Sequence, residues 1–165
     1  MRKVGPLATA LDRLDAQGYV NVDRQTLAQV EPWLRWSPAL CAIVMVIGTV
    51  LASQWILWGL APFAALGALF PRHPFDYIYE LGVRRLTGTP ELPPNGAPRR
   101  FACGVATVWL VATGAAFAAG LGVLGYALGG TLSAVAALVA TTHFCIPSLI
   151  YGLLFGRPAC ATEPP

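Results

Sequence analysis

The side chains of this chain that could do chemistry are few: Cys41, Cys103, Cys145, Cys160, His73 and His143. The most suggestive stretch is Thr142-His143-Phe144-Cys145-Ile146-Pro147-Ser148, at the tail of a long apolar run. A cysteine two residues from a histidine has the makings of a nucleophile, because a nearby base or positive charge favours the thiolate. Cys103 opens one apolar segment and Cys145 closes the next, so an antiparallel hairpin would bring the two to similar depth, with Cys103 as the resolving thiol. The motif Cys145-Ile146-Pro147-Ser148 is one cysteine short of a Cys-x-x-Cys redox pair. A second reading is a metal held by His73, His143 and Cys145, ligand types that suit zinc or copper; their spacing matches no compact zinc pattern. The third reading is structural and carries the most weight. Buried cysteines behave as small hydrophobes, Pro147 kinks the helix it interrupts, and Thr142 and His143 satisfy the freed carbonyls. No cofactor is called for. Gly-rich phosphate loops, Gly-x-Ser-x-Gly and His-Glu-x-x-His are all missing, so the chain reads as non-catalytic rather than as an enzyme of those classes.

The elements that must position these residues follow from the hydropathy pattern. The chain is 56% hydrophobic and 12% charged, half the charge of an ordinary soluble domain, too little to clothe a water-facing surface. Pro38 to Phe70 and Phe101 to Gly156 contain no Asp, Glu, Lys or Arg. At about 20 residues per crossing, each block is long enough for two crossings, or for one crossing plus an interfacial piece. Breaks at Leu51-Ala52-Ser53-Gln54 and Gly120-Leu121-Gly122 mark the turns. The expected fold is all-α: a membrane bundle of four transmembrane helices in two hairpins, with amphipathic interfacial helices. The divisions are an N-terminal amphipathic segment (1–36), hairpin 1 (37–71), a basic loop with a short interfacial helix (72–100), hairpin 2 (101–156) and a tail (157–165).

Charge placement supports this count. The 11 Lys and Arg residues fall in the first segment, between Arg72 and Arg100, and at Arg157. Four crossings put all three groups on one face, which the positive-inside rule makes cytoplasmic, with both termini there. Trp33, Trp36, Trp55 and Trp58 fit interfacial anchors. Leu7, Leu11 and Leu14, then Leu27, Val30 and Leu34 after an Asp23 cap, then Tyr79, Val83 and Leu86 before Gly88, have the spacing of basic amphipathic helices that lie among lipid headgroups. Gly114, Ala118 and Gly122, and Gly125, Gly129, Ser133, Ala137 and Thr141, form small-residue stripes suited to close helix packing. No charged residue lies within the expected crossings, which speaks against a pump or ion-coupled transporter. His73 with Tyr79 and His143 with Tyr151 stand at corresponding places after the two hairpins, a weak repeat.

One resemblance covers roughly Val22 to Gly156. The order is an Asp-containing amphipathic segment (VDRQTLAQ), a tight apolar hairpin, a basic loop ending RRFACGVATVWLVATG, and a second hairpin closing on Phe144-Cys145. This resembles a bacterial family of integral membrane proteins known only as a domain of unknown function, numbered four-three-nine-five. The resemblance implies a four-helix membrane protein whose last helix often closes on Phe-Cys-x-x-Cys, encoded near thioredoxin-like or sulfurtransferase genes. Ser148 stands where the second cysteine of that pattern would be.

These observations lead to a multi-pass protein of the bacterial inner membrane that binds lipids or a protein partner without catalysis, as an accessory to thiol or sulfur metabolism. The partner implied by the resemblance is a thioredoxin-like or sulfurtransferase protein; self-association stays open, and the modest basic excess suits anionic lipid rather than nucleic acid. The alternatives are a membrane thiol-redox protein using Cys145 and a channel or carrier for a small neutral or sulfur-containing solute.

Overall fold

The computed structural model of the chain describes residues 6–156, with side chains from residue 9 onward. Leu7, Arg157 and Cys160, named above, have side chains outside that description. The described residues form helices and no strand: α1 (Pro6–Ala16), α2 (Arg24–Leu34), α3 (Trp36–Val50), α4 (Gln54–Leu69), α5 (Asp76–Ile78), a π-helical turn (Tyr79–Val83), α6 (Arg84–Thr87), α7 (Ala97–Ala118), α8 (Gly122–Thr142) and α9 (Ile146–Phe155).

Among the described residues three helical stretches, not four, are long and apolar enough to cross a membrane: Arg24–Val50, Ala97–Ala118 and Gly122–Thr142. The expected fourth, α4, has 16 residues, about 24 Å at 1.5 Å per residue, short of a hydrocarbon core of about 30 Å. Its limits are local. The Ser53 hydroxyl accepts from the Ile56 N–H and caps the start, and Phe70 is forced extended by Pro71. The first stretch gains its length because α2 runs into α3 through the single residue Arg35.

The last apolar run also departs from expectation. It is not one kinked helix. The α8 helix stops at Thr142, and His143 takes a left-handed conformation with φ 56°. The chain then restarts as α9, with Pro147 in its first turn, where a missing N–H leaves no bond unmade.

Two cores hold these pieces. In the bundle, α4 lies along α7 and α3 along α8, around Met45, Leu57, Leu60, Ala64, Leu110 and Leu132. The small-residue stripes are seams for part of their length. Gly114 leaves room for the Trp58 ring, Gly125 for Phe117 and Gly129 for Thr49. Ala118, Ala137 and Thr141 face outward.

A second core closes one end of the bundle. Leu11 and Leu14 of α1 meet Leu27, Val30 and Leu34 of α2 over Tyr19, Tyr79 and Leu92. The apolar faces of α1 and α2 are therefore spent on each other rather than left for headgroups. Asp23 caps α2, accepting from Gln25 N–H at 3.1 Å and Thr26 N–H at 3.0 Å. The Tyr79, Val83, Leu86 stripe is split: Tyr79 is buried and Leu86 is 89% exposed. The π-turn between them inserts a residue into the helical register and swings Leu86 outward. Trp33 lies in this cap against Tyr79, with ring centroids 5.2 Å apart, and the half-buried Trp58 packs on Gly114 of α7 and donates to the Val111 carbonyl at 3.2 Å.

Candidate functional site

Beneath this cap lies a cavity of about 350 Å³. That volume falls in the range of about 300–1,000 Å³ usual for small-molecule sites. Its lower wall is apolar, with Met45, Leu60, Trp109, Leu110, Leu132 and Val139. Its upper end gathers the reactive groups: Cys41 from α3, His73 from the loop after α4, Arg99 and Cys103 from α7, and Cys145 at the cap of α9. All three of these cysteines are free thiols. Their wide separation in sequence is bridged by the pairing of α3, α4, α7 and α9.

Arg99 is the unusual member. It is 7% exposed. One Nη2–H donates to the Leu34 carbonyl at 3.2 Å, and the guanidinium lies 5.7 Å from the centre of the Tyr19 ring. Among the described residues no carboxylate stands within ion-pair distance of it. The buried carboxylate that bears on it, Asp76, has other partners. It accepts from the Ser37 hydroxyl, from the His73 N–H at 2.9 Å and from the Asn95 amide at 3.4 Å. Tyr19 is held beside Arg99 by donating to Asn95 Oδ1 at 2.6 Å, and burial pushes its phenol up to about 12.

His73 has one assignable tautomer. The Phe75 N–H donates to Nδ1 at 3.2 Å, so the neutral ring carries its hydrogen on Nε2. That nitrogen lies 3.8 Å from the Cys41 sulfur. Burial, opposed by Asp76 and assisted by Arg99, pushes His73 down to about 4. At neutral pH it is a neutral donor toward Cys41 rather than a base. Gly67 makes room for it: a methyl there would overlap the imidazole and stand 3.3 Å from the Cys103 sulfur.

His143 is placed elsewhere. It is 1% exposed, its Nε2 lies 2.8 Å from Glu31 Oε1 and 3.0 Å from Arg35 Nε, and Arg35 also pairs with Glu31. Burial holds its pKa below the usual histidine value, with the Glu31 bond working the other way. Around it the cap ties down the end of α8. Arg35 donates to the Thr141 carbonyl, Arg13 to Thr142 and Gln17 to His143, each at 2.7 Å. His143 thus belongs to a latch between the cap and α8, with its Nε2 held by Glu31 and Arg35.

The expected partners Cys103 and Cys145 stand on two walls of one cavity, and Cys41 joins them. His73 and His143 have separate partners, and among the described residues no three His, Cys, Asp or Glu side chains form a metal-holding group. Arg99 is absent from the candidates read off the sequence, because it looks there like one of the basic residues outside the membrane. A signal exists all the same: Arg99, Cys103, Ala106 and Leu110 recur at i, i+4, i+7 and i+11, one helical stripe, and all four line the cavity.

The molecule is therefore an all-helical bundle with membrane-length apolar helices, a polar cap at one end and a thiol-lined cavity below it. The chain belongs to the family described as Domain of unknown function (DUF4395), which it matches over residues 31–155. That span takes in α3 to α9 and every cavity-lining residue except Gln17. No curated protein and no solved structure matches the chain.

Proposed function

We propose that this is a multi-pass membrane protein of the bacterial inner membrane that carries out thiol exchange on a small molecule in the cavity beneath the cap. The observation that carries the reading is the convergence of Cys41, Cys103 and Cys145 on one small-molecule-sized space. Cys145 is the N-cap of α9, a ten-residue helix, and it shares the cavity wall with Cys103. In this reading the Cys145 thiolate attacks one sulfur of a disulfide and releases the other as a thiolate. Cys103 then attacks the Cys145 sulfur, releases the second thiolate and leaves a Cys103–Cys145 disulfide. A partner dithiol such as a thioredoxin-like protein returns that disulfide to two thiols and is itself oxidised.

The membrane placement draws support from the distribution of charge. Arg13, Arg35, Arg99 and Arg100 all bond helix ends at the capped end of the bundle. The turns at residues 51–53 and 119–121, at the other end, carry no charge. The capped end is then cytoplasmic. A lipid-binding accessory role has its own observation: Tyr77, Leu81 and Leu86 are exposed beside Arg85, a surface suited to anionic headgroups.

The test is thiol trapping in intact membranes, read peptide by peptide. An uncharged methylthiolating reagent should modify Cys145 and Cys103 near neutral pH, and mild oxidant should join them. If both stay unmodified until the protein is unfolded, the cavity cysteines are packing groups and the reading fails.

A further inference from the structure

The cavity holds a charge that has no direct ion-pair partner among the described residues, its nearest compensation being the more distant Asp76. Isolated buried charges are expensive, and proteins ordinarily pair them. Glu31 with Arg35 and Glu80 with Arg84 follow that rule in this chain. Arg99, more deeply buried than Arg35 or Arg84, does not. Its Nη2 donates to the Leu34 carbonyl at 3.2 Å and its guanidinium also bonds the Tyr19 side chain, which accounts for two of a guanidinium's five N–H donors. None of its nitrogens is a sealed donor without a partner, and Arg99 lines the cavity. Ser37, Gln17 and His73 stand at the same end of that cavity, and the wall below them is apolar.

We infer that the cavity binds a small amphipathic anion, its oxyanion head on the Arg99 guanidinium and its short apolar body between α3, α7 and α8, against Met45, Trp109 and Leu132. The head chemistry is that of a carboxylate or a sulfonate, both of which accept two parallel N–H bonds from a guanidinium. The charge selects the ligand; the apolar wall supplies the contact area. The inference deepens the thiol reading by naming the class of molecule brought to the cysteines, and it survives if the cysteines turn out to be inert.

The test uses the full chain in nanodiscs of uncharged phosphatidylcholine, with empty discs to subtract partitioning. The probes are hexanoate, hexanesulfonate and hexanol, followed by calorimetry and by protection of Cys103 from alkylation. At least one anion should bind about tenfold or more tighter than hexanol, the discrimination expected of a charge-assisted bond, and should protect Cys103. Which anion binds better separates carboxylate from sulfonate. Arg99→Lys should keep the preference for an anion and Arg99→Gln should abolish it. Equal affinity for hexanol and both anions, or no binding of any probe, overturns the inference on the wild-type protein alone, whatever the folding of the variants. Calorimetry reads anion binding without reference to thiol reactivity, and thiol trapping in the absence of anion reads the cysteines alone, so loss of thiol chemistry and loss of anion binding are read separately.

Discussion

Two arginines are held under the cap, and they are treated in opposite ways. Arg35 sits in the latch with Glu31, His143 and the Thr141 carbonyl around it. Arg99 sits at the cavity with the Leu34 carbonyl and Tyr19 beside it and Asp76 further off, and without an ion pair. The latch is a closed set of donors and acceptors that fastens α2 and α3 to the end of α8. The cavity end is an open set, with donors in excess. A closed polar cluster reports on how a fold is fixed; an open one reports on what the fold receives.

Acid should separate the two most strongly. An unfolded histidine takes up a proton below pH 6.5, whereas the buried His73 resists until about 4. The unfolded chain therefore binds more protons in that window, and stability is full above pH 6.5 and falls as the pH drops toward 4. The shift corresponds to a loss of about 3 kcal/mol at the acid end. Thermal unfolding in detergent across this range should show the fall, and His73→Gln should remove most of it. A fall of the same size in His73→Gln would move its origin to the latch.

The next largest effect belongs to the closed set. Glu31→Ala leaves His143 and Arg35 without their acceptor and should cost about 2 kcal/mol, less than a fully buried pair because Arg35 is partly in solvent. Unfolding in detergent measures it, and affinity for hexanoate should not change. Arg99→Met should show the reverse. Replacing a buried charge that has no direct ion pair with an apolar side chain of similar length should leave stability within about 1 kcal/mol, while anion binding is lost. If Arg99→Met is the more destabilised of the two, Arg99 is a fastening group and the contrast between the sites collapses.

The smallest effect tests whether an unpartnered polar group is enough to mark a site. Thr49 and Ser133 have buried hydroxyls with no hydrogen-bond partner among the described residues, but they stand on α3 and α8 and do not line the cavity. Thr49→Val and Ser133→Ala should be neutral or stabilise by up to about 1 kcal/mol and leave binding unchanged. Unfolding midpoints of the two variants check this.

How much of this was legible in the chain divides along physical lines. Helix ends set by local chemistry were readable: the Asp23 cap, the turns at residues 51–53 and 119–121, and the stop at the left-handed Gly88. Small-residue stripes at four-residue spacing pointed to close packing, and Gly114, Gly125 and Gly129 do admit a neighbour's side chain. The number of membrane-length helices was not readable, because it depends on α2 continuing into α3 and on α4 ending just before Pro71. The break after Thr142 was not either. It takes the arginines and glutamine of a distant cap to satisfy the carbonyls that a continued helix would have bonded.

By itself, then, the sequence determined an all-helical, charge-poor chain with its basic residues kept out of the two long apolar blocks, because hydropathy, caps and turns act over a few residues. The roles of individual polar groups were decided only in the tertiary structure. Whether an arginine meets a glutamate or an open cavity depends on what α2, α7 and α9 bring within a few ångströms of it. That is a matter of long-range packing, and no spacing along the chain encodes it locally.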